Sequence, residues 1–308
     1  MCAGAVYAGA VALVPVQQAV PALTHAGPIV AFDGASQSIN WSGYSQNAAG
    51  RGTQFHSVAG DWVVPTATPH RSGESEFSAT WVGIGGGCLD AGCSQTDSTL
   101  IQAGTEQDVN YDLLGGTTTN YFAWYELIPN SQTQVALPVA PGDQIHLDIH
   151  ENRVGSENWT IAIDDLTSGK TYSTTVDYQS SYATAEWIEE SPAVVAFSVP
   201  PTLGSAPLPD LGTVHFDLAT ANGTNANLVP SQEVQMTTSG NAEATPSAPD
   251  AEADGFDDCT YSASCPASTG GSSPPPPPAL LGGLGSFLGG QNGLLGPLAG
   301  LLTGFSGI

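Results

Sequence analysis

Residues 144–176 read QIHLDIHENRVGSENWTIAIDDLTSGKTYSTTV, three alternating runs separated by clusters of Asn, Asp, Gly and Ser. In 144–150 the apolar Ile145, Leu147 and Ile149 interleave with His146, Asp148 and His150. That period of two gives a strand one face for a core and one for water. Working outward, comparable runs lie at 55–64, 79–84, 100–105, 121–128, 159–164, 171–176, 185–188, 194–199 and 213–218, bounded by turn-forming residues. Regular short strands of this kind predict an antiparallel sandwich or barrel. The sequence offers no amphipathic helix of ten residues, no βαβ alternation and no solenoid period, so the expected fold class is all-β, with a core domain over residues 38–240.

Charge narrows the function. The 308 residues include 29 Asp+Glu against 4 Lys+Arg, for a formal net charge of -25. Without a basic surface nothing holds a phosphate backbone, and nucleic acid is excluded as a partner. When every carboxyl is protonated, only the 4 Lys+Arg and 6 His carry charge, so the self-repulsion that unfolds most proteins in acid stays weak. The composition suits acidic surroundings.

The ends differ from the middle. Residues 1–26 hold an uncharged apolar run, AGAVYAGAVALV at 3–14, then small residues around Ala22 and Ala26, with no Lys or Arg before them. This reads as a signal-peptide-like segment and a secreted, extracellular protein. Of five cysteines, Cys2 falls in that segment, Cys88 and Cys93 stand five apart, and Cys259 and Cys265 six apart. Two local disulfides, and an oxidising compartment, are the expectation. Residues 241–278 read as an acidic then proline-rich linker: 241–258 carry six acids and no base, and 274–278 are all proline. Residues 279–308 are a Leu/Gly-rich, disordered low-complexity tail. Its glycines, Pro297 and the Gln291-Asn292 pair interrupt the apolar run, which favours cell-envelope association over membrane insertion.

The G-x-S-x-G elbow, H-E-x-x-H, the D-[ST]-G pair and the P-loop are absent. Chemistry is left to carboxylates and carboxamides set among tryptophans, in the segments N-W-S-G (40–43), W-V-G-I (81–84), I-Q-A-G (101–104), A-W-Y-E (123–126) and A-E-W-I (185–188). In this order and spacing the five motifs resemble the glutamic peptidases, the eqolisin family of acid endopeptidases. The resemblance implies a concanavalin or jelly-roll-like sandwich of two curved antiparallel sheets whose concave face is the substrate groove. It also implies Gln102 and Glu186 as the catalytic pair, Trp81, Trp124 and Glu126 lining or supporting the groove, protein or peptide substrates, and a monomer without metal or cofactor. Fungal members imply a cysteine just before A-E-W bridging to the loop before the Gln motif, yet residues 179–184 contain none.

Amide hydrolysis needs a base for water, a donor for the oxyanion and an acid for the leaving amine. Glu186 is expected to act as base and then acid, ionised at pH 3–4 by the reference carboxyl pKa, with Gln102 as a neutral donor. Glu189 and Glu190 read as a solvated strand end. Three rivals stand beside this reading: a non-catalytic, lectin-like carbohydrate-binding sandwich; a glycosidase using Glu186 and Glu126 about 5–9 Å apart; and a zinc site at His146, Asp148 and His150.

Overall fold

The computed structural model describes residues 36–47, 52–112, 116–196 and 202–268, with the short strand Leu23–Thr24. Apart from that strand, the signal-like segment 1–26 lies outside the described residues, as do the proline run 274–278 and the tail 279–308.

The longer strands are β1 (Trp41–Asn47), β2 (Ser57–Val63), β3 (Glu76–Gly85), β4 (Leu100–Tyr111), β5 (Thr117–Leu127), β6 (Gln144–Glu151), β7 (Asn158–Asp165), β8 (Lys170–Asp177), β9 (Thr184–Glu190), β10 (Thr213–Ala221), β11 (Glu233–Thr238), β12 (Asn241–Pro246) and β13 (Phe256–Thr260). They join edge to edge as β8-β7-β6-β2-β10-β13-β12-β11-β1-β9-β3-β4-β5. Each of these pairings is antiparallel. The sheet folds over itself into a sandwich, with β8, β7, β6, β2 and β10 in one layer and β1, β9, β3, β4 and β5 in the other. The helical content among the described residues is the single 3-10 turn Pro230–Gln232.

Between the layers, Ile145, Leu147 and Ile149 of β6 and Trp159, Ile161 and Ile163 of β7 are fully buried in one core with Val82, Ile84, Ile101, Ala185 and Trp187. Each such side chain contributes about 1.5–3 kcal/mol when taken out of water. Two indoles stitch the layers while satisfying their own N–H groups: Trp187 Nε1 donates to Ala59 O at 2.8 Å and Trp62 Nε1 to Thr105 Oγ1 at 3.0 Å. Gly60 makes room for the first, since a Cβ there would stand 2.9 Å from Trp187 Cδ1.

Strands β6 and β7 alternate buried and half-buried positions, as their sequence predicts. By contrast, β3 and β9 are buried at every position. Their second face is covered as well, by a separate cluster of Trp41, Trp81, Leu100, Trp124 and Ile188.

Both local disulfides, Cys88–Cys93 and Cys259–Cys265, are formed. The linker expected from residue 241 is not what the structure contains: β12 and β13 belong to the sheet. Phe256 explains the difference, because it stacks on Phe216 at 4.6 Å and packs on Tyr44 at 4.7 Å, carrying the acidic segment into the core. Among the described residues no helix is long and apolar enough to cross a membrane.

Acids ride inward with these strands. Asp258 is fully buried and accepts from Ser42 Oγ at 2.9 Å, and Glu189 is fully buried and accepts from Thr80 Oγ1 at 2.6 Å. Desolvation is the main cause that pushes the Asp258 carboxyl up to about 8 and the Glu189 carboxyl well above the usual range. The folded chain therefore holds protons that the unfolded chain has released, and stability falls as pH rises. For Asp258 the full contribution is present below pH 3.8 and is lost progressively towards about pH 8. Thermal midpoints followed by circular dichroism from pH 3 to 8 are expected to drop steadily, and Asp258→Asn, which keeps an acceptor for Ser42, should flatten the slope. A midpoint that climbs over this interval would contradict the assignment.

Candidate active site

Register places the sequence-predicted pair in one row, two strands apart. Glu186 of β9 lies opposite Gly83 of β3, Gly83 opposite Gln102 of β4, and Gln102 opposite Glu126 of β5. On the other side Glu186 faces Ser45 of β1. Ser45, Glu186, Gly83, Gln102 and Glu126 thus form one row across five strands, on the face turned away from the inter-layer core. Gly83 is the centre of the row. It contributes no side chain, so Glu186 and Gln102, about 10 Å apart at Cα by two strand spacings, can lean towards each other over it.

Gln102 Nε2 donates to Glu126 Oε2 at 2.9 Å. That bond fixes which end of the amide meets Glu126 and leaves Oε1 as the end that does not. Glu186 Oε1 accepts from Ser45 Oγ at 3.2 Å. Gln102 Oε1 and Glu186 Oε2 are both buried without a protein hydrogen bond. Buried polar atoms without a protein partner are uncommon in folded proteins, and here Glu189 Oε1 and Asp258 Oδ2, outside this row, share that state. Gln102 Oε1 and Glu186 Oε2 belong to side chains of the one row that Gly83 centres.

Burial dominates the electrostatics. Glu186 is fully buried, and desolvation drives its carboxyl well above the ordinary range; hydrogen bonding from Thr184 opposes this, while the Asp97 carboxylate adds to it. Gly87 lies directly over it, a Cβ there falling 2.5 Å from Glu186 Oε1. The neighbouring Gly85 and Gly86 have φ of +104° and +86°, a backbone that side chains disfavour.

The expected groove residues are packed rather than open. Trp81 and Trp124 are both fully buried. Trp81 meets Trp41 edge-on at 4.9 Å and donates its Nε1 to Glu190 Oε2 at 2.7 Å. Glu190 and Glu189, expected as a solvated strand end, are fully buried. Glu190 was within reach of sequence reasoning, since the period of two puts it on the same face as Glu186 and Ile188. Ser45 and Asp97 carried no such signal, because they meet Glu186 from other segments.

The rivals fare differently. Gln102 stands between Glu186 and Glu126, so the two carboxyls do not confront each other across an open bond as a glycosidase requires. His146 and His150 are each engaged by a carboxylate, Asp61 at 2.5 Å and Asp148 respectively. Among the described residues the metal-compatible group of acids and histidines is instead Asp217, Asp250 and Asp254, far along the sheet from Gln102 in sequence and register. The segment before A-E-W, which lacks the cysteine implied by the fungal members, is tied to the loop before β4 by hydrogen bonds from Ser181 to Asp97 and from Ser181 N to Thr99 Oγ1 at 3.0 Å.

The model of the peptidase A4 family matches residues 39–259. A crystal structure of scytalido-glutamic peptidase with a transition state analog inhibitor aligns with a TM-score of 0.51 at 19% identity, covering 72% of this chain and 98% of that one. SCP-B, an eqolisin solved in complex with the tripeptide Ala-Ile-His, aligns with a TM-score of 0.48 at 18% identity over 72% of this chain and 98% of its own. No curated protein matches in sequence. Matched by the family's model across most of its folded strands, and sharing the sandwich of a solved member, the chain belongs to the peptidase A4 family, the eqolisins or glutamic peptidases.

Proposed function

We propose that this glutamic peptidase is a secreted endopeptidase that works in acid on extended, unfolded polypeptide, with Glu186 and Gln102 as its catalytic residues. The observation that supports the reading is the row centred on Gly83, which carries Glu186 and Gln102 on one sheet face, each with a buried side-chain oxygen, Glu186 Oε2 and Gln102 Oε1, that has no protein partner. The two disulfides and the signal-like segment support export.

Burial changes the order of proton steps expected from the sequence. An ionised Glu186 at pH 3–4 requires an ordinary pKa, whereas desolvation holds this carboxyl protonated. Glu186 therefore begins as the acid. Its proton passes to the scissile carbonyl oxygen as water adds to the carbon, and the resulting carboxylate takes the proton that the water sheds. Glu186 next delivers that proton to the amide nitrogen, the C–N bond breaks, and a hydroxyl of the former diol returns its proton to the carboxylate. One water is consumed, acid and amine appear, and Glu186 ends as it began. Gln102 supplies its second Nε2 proton to the carbonyl oxygen and its Oε1 to the incoming water. Such a donor stays correctly protonated at any pH and is worth about 3 kcal/mol.

With denatured protein as substrate, Glu186→Gln is expected to lose about 10³-fold in kcat and Gln102→Ala about 10²- to 10³-fold, each with an unchanged circular dichroism spectrum. Full activity of either variant at pH 3–4 would remove it from the mechanism. The acid-first order has its own signature: kcat should hold in acid and fall as pH rises through the elevated Glu186 pKa, and a rate that grows between pH 4 and 8 would reverse the assignment. Releasing the Gln102 amide with Glu126→Leu should lower kcat about tenfold, the cost of one misplaced donor, while Glu126→Gln, which keeps an acceptor, should retain most activity.

A further inference from the structure

The loop between β3 and β4, residues 86–99, is organised around one buried carboxylate. Asp97, only 8% exposed, accepts from both Thr99 N and Thr99 Oγ1 at 2.9 Å on Oδ1, and from the Ser181 hydroxyl on Oδ2. Its own N–H donates to Gly87 O at 2.9 Å. Gly87 N in turn donates to Thr184 Oγ1 at 3.2 Å, and Gly87 is the residue packed on Glu186 Oε1. The loop carries its own staple, the Cys88–Cys93 disulfide, beside a bridge between Cys88 and Thr96.

Three parts of the site converge on this side chain. Thr99 immediately precedes β4, which carries Gln102. Ser181 leads into β9, which carries Glu186. Gly87 covers the Glu186 carboxyl. These strands are separated by β3, so no direct strand pairing sets the distance between the two catalytic groups.

We propose that Asp97 is a positioning residue for the hydrolysis assigned above: it clamps the segments leading to Gln102 and Glu186 to each other and holds Gly87 against the Glu186 carboxyl. This rests on the assignment of Glu186 and Gln102 as catalytic. The clamp also has an electrostatic consequence. Ser45, Gly83, Gly85 and Thr184 around Glu186 carry no charge; Asp97 is the carboxylate that raises the Glu186 pKa through space. The hydroxyl of Tyr178, bonded to Leu100 N at 2.6 Å and Ile128 O at 2.9 Å, also lies near Asp97 and Glu126 and is held protonated, pushed up to about 12.

Charge and clamp separate by substitution. Asp97→Asn keeps an acceptor for Thr99 and a partner for Ser181 but removes the negative charge. Ionisation of Glu186 then becomes easier, so the high-pH fall in kcat is expected to move to lower pH by about half a unit to one unit. Ser181→Ala keeps the charge and cuts the tie; kcat should fall about tenfold with KM little changed and the pH of the fall unmoved. Thermal midpoints at pH 4 accompany both. If Ser181→Ala keeps the kcat of the parent, or if activity falls only in step with the thermal midpoint, the positioning role is overturned; an unmoved profile in Asp97→Asn overturns its electrostatic consequence. Glu186→Gln assayed in parallel separates the two readings: if it remains active, the catalytic assignment fails, whereas an inactive Glu186→Gln beside a Ser181→Ala of unchanged kcat defeats the positioning role alone.

Discussion

Carboxyl groups buried without cations to pair them are the constraint on which this structure depends. A chain with 29 acids and 4 Lys+Arg cannot neutralise its interior with ion pairs. Glu186, Glu189 and Asp258 instead keep their protons and rest on hydroxyls, Ser45, Thr80 and Ser42. That solution is inexpensive while the carboxyl is neutral and becomes costly once it ionises, because the charge then sits in a medium that solvates it poorly. The histidines work in the same direction. His146 and His215 are raised chiefly by hydrogen bonds to Asp61 and Asp257, so the stability their protonated rings contribute is lost as pH climbs through the raised values. Acid is the condition in which both sets of groups are satisfied together.

How much of this the sequence discloses depends on the range of the interaction. The period of two in 144–150 and 159–164 is a property of neighbouring residues, and it survives folding unchanged in β6 and β7. The motifs around Gln102 and Glu186 single out two side chains, while their place in one row beside Gly83 is a matter of register among three strands. Gly83 stood in the W-V-G-I motif without an evident reason. Its role becomes apparent only with β9 and β4 on either side.

The misreadings share one cause. Glu189 and Glu190 at the end of a run, and the acids between 241 and 258, look solvated because charge content is local and cover is not. Trp41 and Trp81 roof the outer face of β9 and β3 from positions forty residues apart in the chain. Phe256 finds Phe216 and Tyr44, neither of them near it in sequence, and draws Asp258 inside with it. A composition-based boundary at residue 240 therefore falls within the sheet rather than at its edge.

In the proposed mechanism, full burial gives Glu186 a catalytic use. A carboxyl that must first give a proton and then accept one is best served by a pKa above the working pH while the site is closed, for the donor form is then already populated when water attacks. In that mechanism a Glu186 exposed to water would lose the desolvation that keeps it protonated, so the cover that Gly87 places over the carboxyl matters to the proposed chemistry. Asp97, whose N–H bonds to Gly87 O, holds that cover from the loop rather than from either strand of the pair.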